Sequence, residues 1–153
     1  MKKCIFLIAF LGLAFTFNAC DDNDVLIGEN GLPQEAKTFI ATHFPSAKFV
    51  WGERDNEGYD VRLDNGFELE FLKDGTWDNV DSKHVREVPA SIVSLIPESI
   101  SGYISENHQG AVIAKIDKEY DRKGRHTGYE IELNNYHNDL LFGSEGNFIR
   151  YDY

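Results

Sequence analysis

Two pairs of carboxylates, Glu68 with Glu70 and Glu130 with Glu132, stand two residues apart in alternating segments. That spacing puts both members of a pair on one strand face, about 7 Å from each other. Acids so placed could protonate a leaving group and activate a nucleophile, as in glycoside hydrolysis. Such chemistry also needs a pocket that raises one pKa; the flanking sequence supplies none, and a solvated strand face accounts for the pairs. Nucleophilic catalysis would need a Ser or Cys beside a His and an orienting acid. Ser91, Ser94, Ser99 and Ser101 fall in helical stretches without a nucleophile-elbow pattern. His43, His84, His108, His126 and His137 lack metal-ligand spacing and read as scattered surface groups. Asp55-Asn56-Glu57-Gly58 begins like a calcium loop but lacks the sixth-position Gly and closing Glu of an EF-hand, so a tight turn is expected. No catalytic residue, metal or cofactor is therefore expected.

The elements that carry these side chains repeat along the chain. Gly58-Tyr59-Asp60-Val61-Arg62-Leu63-Asp64-Asn65 is answered by Gly128-Tyr129-Glu130-Ile131-Glu132-Leu133-Asn134-Asn135. Upstream, Leu32-Pro33 with Phe39-Ile40 matches Ile96-Pro97 with Tyr103-Ile104; downstream, Phe71 with Asp74-Gly75-Thr76-Trp77 matches Phe142 with Glu145-Gly146-Asn147-Phe148. Apolar residues at helical spacing follow Pro33, and Pro45 ends the helix. Extended runs are predicted at 48–54, 59–64, 67–71 and 76–81, with hairpin turns at Asp64-Asn65-Gly66 and Asp74-Gly75. The second copy predicts strands near 112–120, 129–134, 140–142 and 147–153. The expected fold is α+β: two tandem repeats, each a helix plus a four-stranded antiparallel sheet, with the helices packed on one sheet face.

Alternation then separates the faces. Tyr59, Val61, Leu63, Phe67, Leu69 and Phe71 point towards a helix, as do Tyr129, Ile131 and Leu133, while Asp60, Arg62, Glu68, Glu70, Glu130 and Glu132 point to water. Trp77 matches Phe148 and is expected in the core. Trp51 and Tyr153 have no apolar counterpart that forces them inward, and with the outward charges they make the candidate partner-binding set.

The first stretch reads as a processing signal. Met1-Lys2-Lys3 precedes an apolar run from Cys4 to Phe17, too short to span a bilayer comfortably, and Phe17-Asn18-Ala19-Cys20 is similar to a lipobox. Residues 1–19 are expected to be a signal peptide, Cys20 the lipid-attachment residue and 20–31 an acylated tether; an ordinary secretory signal with a coincidental cysteine is the alternative. Residues 32–153 form the expected domain, divided into 32–81, a connector 82–95 and 96–153. Cys20 would be the only thiol of the mature chain, so no intramolecular disulfide forms, and acylation explains the unpaired cysteine. Loss of 1–19 removes two lysines and no acid, which takes the net charge from -11 to -13. Nucleic-acid partners are disfavoured by such a balance and basic protein surfaces are favoured.

The order Pro-helix-Pro-x-Ala, Gly-Tyr-acidic-aliphatic, Asn-Gly, Asp-Gly-x-aromatic resembles the PepSY-like, DUF2874-type domains of envelope lipoproteins, over about residues 32–153. Their fold resembles the β-lactamase inhibitory protein. The second copy departs from the pattern with Asn135-Tyr136-His137 in place of Asn-Gly and Asn107-His108-Gln109 in place of His43-Phe44-Pro45. The resemblance implies peptide binding or inhibition and brings no catalytic residues. The expected function is thus an exported, non-enzymatic protein- or peptide-binding module on the periplasmic side or surface of a Gram-negative envelope, held to the membrane only by its N-terminal lipid. Inhibition of a protease or β-lactamase is its narrower form. A small-molecule carrier or enzyme using a cleft between the copies, and a structural envelope lipoprotein, are the competing readings.

Overall fold

The computed structural model describes residues 24–83 and 86–152. The signal segment, Cys20, His84 and Tyr153 lie outside the described residues. Nine strands and three short helices follow one another as β1 (Val25–Leu26), α1 (Gln34–His43), β2 (Phe49–Arg54), β3 (Gly58–Leu63), β4 (Glu68–Leu72), β5 (Trp77–Asp81), α2 (Ala90–Val93), α3 (Glu98–Asn107), β6 (Ile113–Tyr120), β7 (His126–Leu133), β8 (Asp139–Gly143) and β9 (Phe148–Asp152).

Each helix begins directly after a proline, Pro33, Pro89 or Pro97, with φ between -53° and -55°. The ring presets a helical φ, and the missing N–H would lack an intrahelical partner there anyway. In α1 the buried residues are Ala36 and Ile40, and in α3 they are Ile100 and Ile104. Four-residue spacing brings each pair onto one helix face, which lies on the sheet. Pro45 follows the end of α1, whereas α3 is followed by Gly110 at φ +79°. Both helices nevertheless end alike, α1 at Phe44 with φ -131° and α3 at His108 with φ -132°, each donating its N–H to the carbonyl four residues back, and Gly110 belongs to the turn that follows.

The expected pair of four-stranded repeats is not what the chain forms. All nine strands belong to one antiparallel sheet in the order of the sequence, accompanied among the described residues by three short α-helices and a 3-10 turn at Glu29–Gly31. The reason lies at the middle, where Asn79 pairs with Asp117, Val80 with Ile116 and Asp81 with Lys115. Left as edges, β5 and β6 would expose unpaired backbone groups beside buried apolar side chains. Joined, they continue one apolar row of Val61, Leu69, Val80, Ile116, Ile131 and Leu140 across six strands, every member essentially buried. The stretch 82–95 does more than connect. Ser82 and Val88 donate their N–H groups to Ala114 and Ile113, and Val88 and Ile92 are fully buried. From Val25 the expected tether is already strand, since Val25 pairs with Arg54 and Leu26 with Glu53.

Aromatic rings lock the helices to the sheet. Phe39 of α1 stacks on Trp77 at 5.8 Å and meets Phe71 edge-on at 5.7 Å; Tyr103 of α3 stacks on Phe148 at 4.4 Å and meets Phe142 edge-on at 5.5 Å. The Lys118 ammonium lies 3.7 Å from the Trp77 ring centroid and donates to the Trp77 carbonyl at 2.7 Å. Burial there pulls its pKa down to about 8.

Two glycines set the closeness of neighbouring strands. A Cβ on Gly58 would stand 1.9 Å from the Phe71 carbonyl oxygen, and one on Gly128 would stand 2.1 Å from that of Phe142. Backbone cannot yield as a side chain can, so Gly58→Ala is expected to cost about 2–4 kcal/mol and to lower Tm by roughly 10 °C. Gly102→Ala is the control, because its Cβ meets nothing within 4 Å. In a helix interior that change should gain about 0.5–1 kcal/mol. Thermal unfolding of the two variants checks the contrast.

Candidate functional site

On the face away from the helices the register lines up side chains in two rows. The first runs Trp51, Arg62, Glu68, Asp81, Lys115, Glu132 across β2 to β7. The second runs Leu26, Glu53, Asp60, Glu70, Asn79, Asp117, Glu130, Leu141, Arg150 across all nine strands. Asp60, Arg62, Glu68, Glu70, Glu130 and Glu132, which alternation assigned to the wet face, are all on these rows, and Trp51 heads the first. Alternation in β6 was not used to assign faces; it would have added Lys115 and Asp117.

The rows differ in how their charge is balanced. In the first, Arg62 Nε bonds Glu68 Oε1 at 3.0 Å, and Lys83 Nζ lies 2.9 Å from Glu68 and 2.7 Å from Asp81. Arg62 also faces the Trp51 ring, 5.3 Å from its centroid. Lys115 Nζ lies 3.1 Å from Glu132, and reaches Asp117 at 3.5 Å and Glu130 at 3.6 Å from the second row. Burial opposes the charge on Lys115, but the Glu132 hydrogen bond and the three surrounding carboxylates hold its pKa above the usual lysine range.

The second row sets five carboxylates, Glu53, Asp60, Glu70, Asp117 and Glu130, on adjacent or next-but-one strands. Burial, followed by the charges of Asp60, Asp117 and Asp78, pushes the Glu70 carboxyl up to about 7. Asp60 and Glu130 are raised for the same leading reason, burial. At the bulge of β5, burial and Asp117 lift Asp78 to about 6 although the Lys118 charge and a Tyr120 hydrogen bond oppose it. Asn79, buried at the centre, donates to Asp117 Oδ2 at 3.1 Å.

The depression over the first row is shallow, about 130 Å³, lined by Trp51, Asp60, Arg62, Glu68 and Glu70 among others. A larger groove of about 410 Å³ lies between α1 and the start of β5, lined by Thr38, Phe39, His43 and Trp77. At its rim His43 Nδ1 lies 2.8 Å from Ser91 Oγ, and partial burial lowers the His43 pKa. A Ser-His pair is only part of a nucleophilic constellation, and among the described residues no acid is hydrogen-bonded to the His43 ring. The histidines are not all surface groups. His108 is buried among Tyr103, Tyr136 and Tyr151, with Nε2 3.3 Å from the Tyr151 hydroxyl. It caps α3 where Phe44 caps α1, so its burial follows from packing.

Three carboxylates could hold a cation. One oxygen each of Glu130, Glu132 and Asp139 lie within 4.8 Å of one another. Hard cations such as calcium take six to eight oxygens. Three acids, two of them engaged by the Lys115 ammonium, fall short of that set. Asp55 in turn accepts the N–H groups of Glu57 and Gly58 at 2.7 Å through Oδ1, the geometry of a turn.

Raised and lowered carboxyls act oppositely on stability. Glu70 keeps its proton to about pH 7 when folded, and the unfolded chain releases it near 4.5, so its ionised form opposes folding above pH 7. Asp55 and Asp74 are held low by backbone N–H groups, so their contribution is present above pH 4 and is lost on further acidification. The Glu70 contribution to stability should therefore rise as pH falls from 8.5 to 5.5, against those of Lys118 and His43, which fall over the same range because burial lowers their pKa values. Glu70→Gln should raise Tm by about 1–3 °C at pH 8.5, with a smaller gain at pH 5.5. Parallel melting curves of the two proteins across that range would show that Glu70 titrates normally.

Against known proteins, a profile of the family described as beta-lactamase-inhibitor-like, PepSY-like matches residues 19–76 and 57–150. A periplasmic-protein structure of the DUF2874 family from Bacteroides vulgatus shares 34% identity over 87% of this chain and 99% of its own, with a TM-score of 0.73. One from Bacteroides thetaiotaomicron, described as a candidate calcium-regulated periplasmic protein, shares 33% identity over 85% of this chain and 97% of its own, with a TM-score of 0.71. A second protein from Bacteroides vulgatus, described as periplasmic and of unknown function, shares 31% identity over 85% of this chain and 99% of its own, with a TM-score of 0.74. No curated protein matches. The chain belongs to the PepSY-like family.

Proposed function

We propose that this chain is a non-enzymatic binding module of the cell envelope that presents the acidic sheet face to a basic protein or peptide. The observation that carries this reading is the second row. Its carboxylates are stacked where like charges on neighbouring strands repel, and among the described residues only Asp117 and Glu130 of the five share a cation, Lys115. A basic ligand laid over the row would relieve that repulsion and supply the cations it lacks. Trp51, stacked by Arg62 at one end of the first row, offers a large ring that orders little entropy on contact. The face carries two separate hollows rather than one deep cavity, about 130 Å³ beside Trp51 and about 300 Å³ beside Asp60, Glu70 and Asp78, a relief that suits the side chains of a macromolecular partner.

Location on the periplasmic side is supported by the neighbours, which are described as periplasmic proteins. Attachment to the membrane through acylated Cys20 belongs to the same reading. Among the described residues no helix is long and apolar enough to cross a membrane. The narrower form of the function is inhibition of a hydrolase, such as a protease or β-lactamase, by occlusion of a basic surface near its active site; the family description supports it.

Crosslinking on intact cells identifies the partner, and its kinetics on the purified protein test the face. Reversal of Asp60, Glu70 and Glu130 to Lys should slow association by about tenfold or more at low salt and change dissociation by less than about threefold. Added salt should slow the wild type towards the variant, since the Debye length falls to about 3 Å at 1 M. Association rates indifferent to both would leave the face a solubilising surface. Cys20→Ala should release the protein from membranes in soluble form, with acyl chains on the wild type detected by mass.

A further inference from the structure

We propose that the β1–β2 edge of the sheet is a lipid-facing surface: with Cys20 acylated, Val25, Leu26 and Val50 rest against the bilayer and the sheet rises from it, β9 outermost. The proposal rests on the anchored reading above and adds an orientation and a contact to it.

Large apolar side chains are exposed at only a few described positions, and three of them share this edge. Leu26 is 71% exposed, Val50 59% and Val25 45%, whereas Leu95, Tyr136 and Ile149 lie singly on other elements. Val25 and Leu26 turn to opposite faces of the sheet, so with Val50 they give its edge, rather than either face, an apolar rim suited to an edge-on contact. The register explains why the cluster stays open. β1 pairs only with Glu53 and Arg54, so the Phe49–Trp51 stretch of β2 has no outer strand among the described residues. Val50 is the extra residue of a bulge between Phe49 and Trp51, pushed out of the ladder.

Chain length says what covers this edge. Only residues 21–24 separate Cys20 from Val25, so five Cα steps, at most about 17 Å, join the acyl anchor to β1. Eight interstrand spacings, about 38 Å, separate β1 from β9. Whatever the tilt, the edge with exposed apolar groups is the one held near the lipid. Arg54 and Lys48, both exposed, flank it and can turn their cations to headgroup phosphates. Asp24 and Glu53 on the same edge oppose a strongly anionic surface, so a zwitterionic bilayer is the fitting ligand.

The test uses the acylated mature protein, in which the Cys20 thiol is blocked, with a single new thiol from Leu26→Cys, Val50→Cys or Ile149→Cys carrying a fluorophore. Ile149, 58% exposed on β9, matches Val50 in exposure at the far end of the sheet. The probe is a phosphatidylcholine vesicle with a nitroxide on the lipid headgroup. Labels at 26 and 50 should be quenched at least about threefold more than the label at 149, given the separation across the sheet. Equal quenching at all three sites would mean a sheet lying flat and would overturn the proposal. Absence of quenching at 26 and 50 in protein that still floats with vesicles would overturn it while leaving the anchor intact. Wild-type protein that neither floats nor carries acyl mass would overturn the anchor and this inference together.

Discussion

The pairing of β5 with β6 is the contact on which the rest of the molecule depends. Three residue pairs, Asn79 with Asp117, Val80 with Ile116 and Asp81 with Lys115, turn two strand clusters into one sheet. On one side this join closes the apolar row under the helices, with Val80 and Ile116 fully buried at its centre. On the other it brings Asp117 and Lys115 beside Glu70 and Asp81, and so creates both the balanced row and the unbalanced one. Without it the acids of β3–β4 and those of β7 would sit on separate surfaces.

The outer face shows a division of labour in charge. Close to the middle of the first row, Lys115 holds three carboxylates and Lys83 two. The exposed Lys83 pairs add little stability each, and the half-buried Lys115 pairs must offset their own desolvation, but together they keep a dense acid array tolerable. One strand position away, Glu53, Asp60 and Glu70 form no ion pair among the described residues, and burial with the charges of neighbouring acids lifts the Asp60 and Glu70 pKa values. A fold selected for stability alone would place Lys or Thr there. The retained acids give the face its long-range field, which steers encounter without requiring a rigid pocket.

Much of this was legible in the sequence because it is local. Helices after Pro33 and Pro97, turns at Gly66 and Gly75, and the in-out alternation of 59–71 and 129–133 each follow from a few adjacent residues. The nine-stranded sheet was not legible, because the β5–β6 join forms across residues 82–112 and has no turn signal of its own. Alternation in β6 places Lys115 and Asp117 on the acidic face, but the ion pairs of Lys115 with Glu130 and Glu132 across to β7 need the register, which the sequence does not announce. Nothing in Asn107-His108-Gln109 shows that His108 takes the place of Phe44 at a helix end, so the sequence alone leaves it among the surface groups. Val25 and Leu26 were read as tether because two residues are too short a run to announce a strand; pairing with Glu53 and Arg54 makes them one.

Strand order that follows chain order bears on how the chain acquires its structure in the exported setting proposed above. A polypeptide that crosses a membrane as an unfolded thread emerges N-terminus first, and here almost every strand finds its partner in the strand just delivered. Hairpins of this kind close over short loops in microseconds, with little entropy lost. The longest wait is at the join after β5, where a 31-residue excursion, 82–112, must arrive before β6 can dock; β1 waits in the same way for 27–48. Val80 at that moment is the growing edge of a half-built sheet, and the speed with which α2 and α3 follow it determines how long that edge is open to association with other chains.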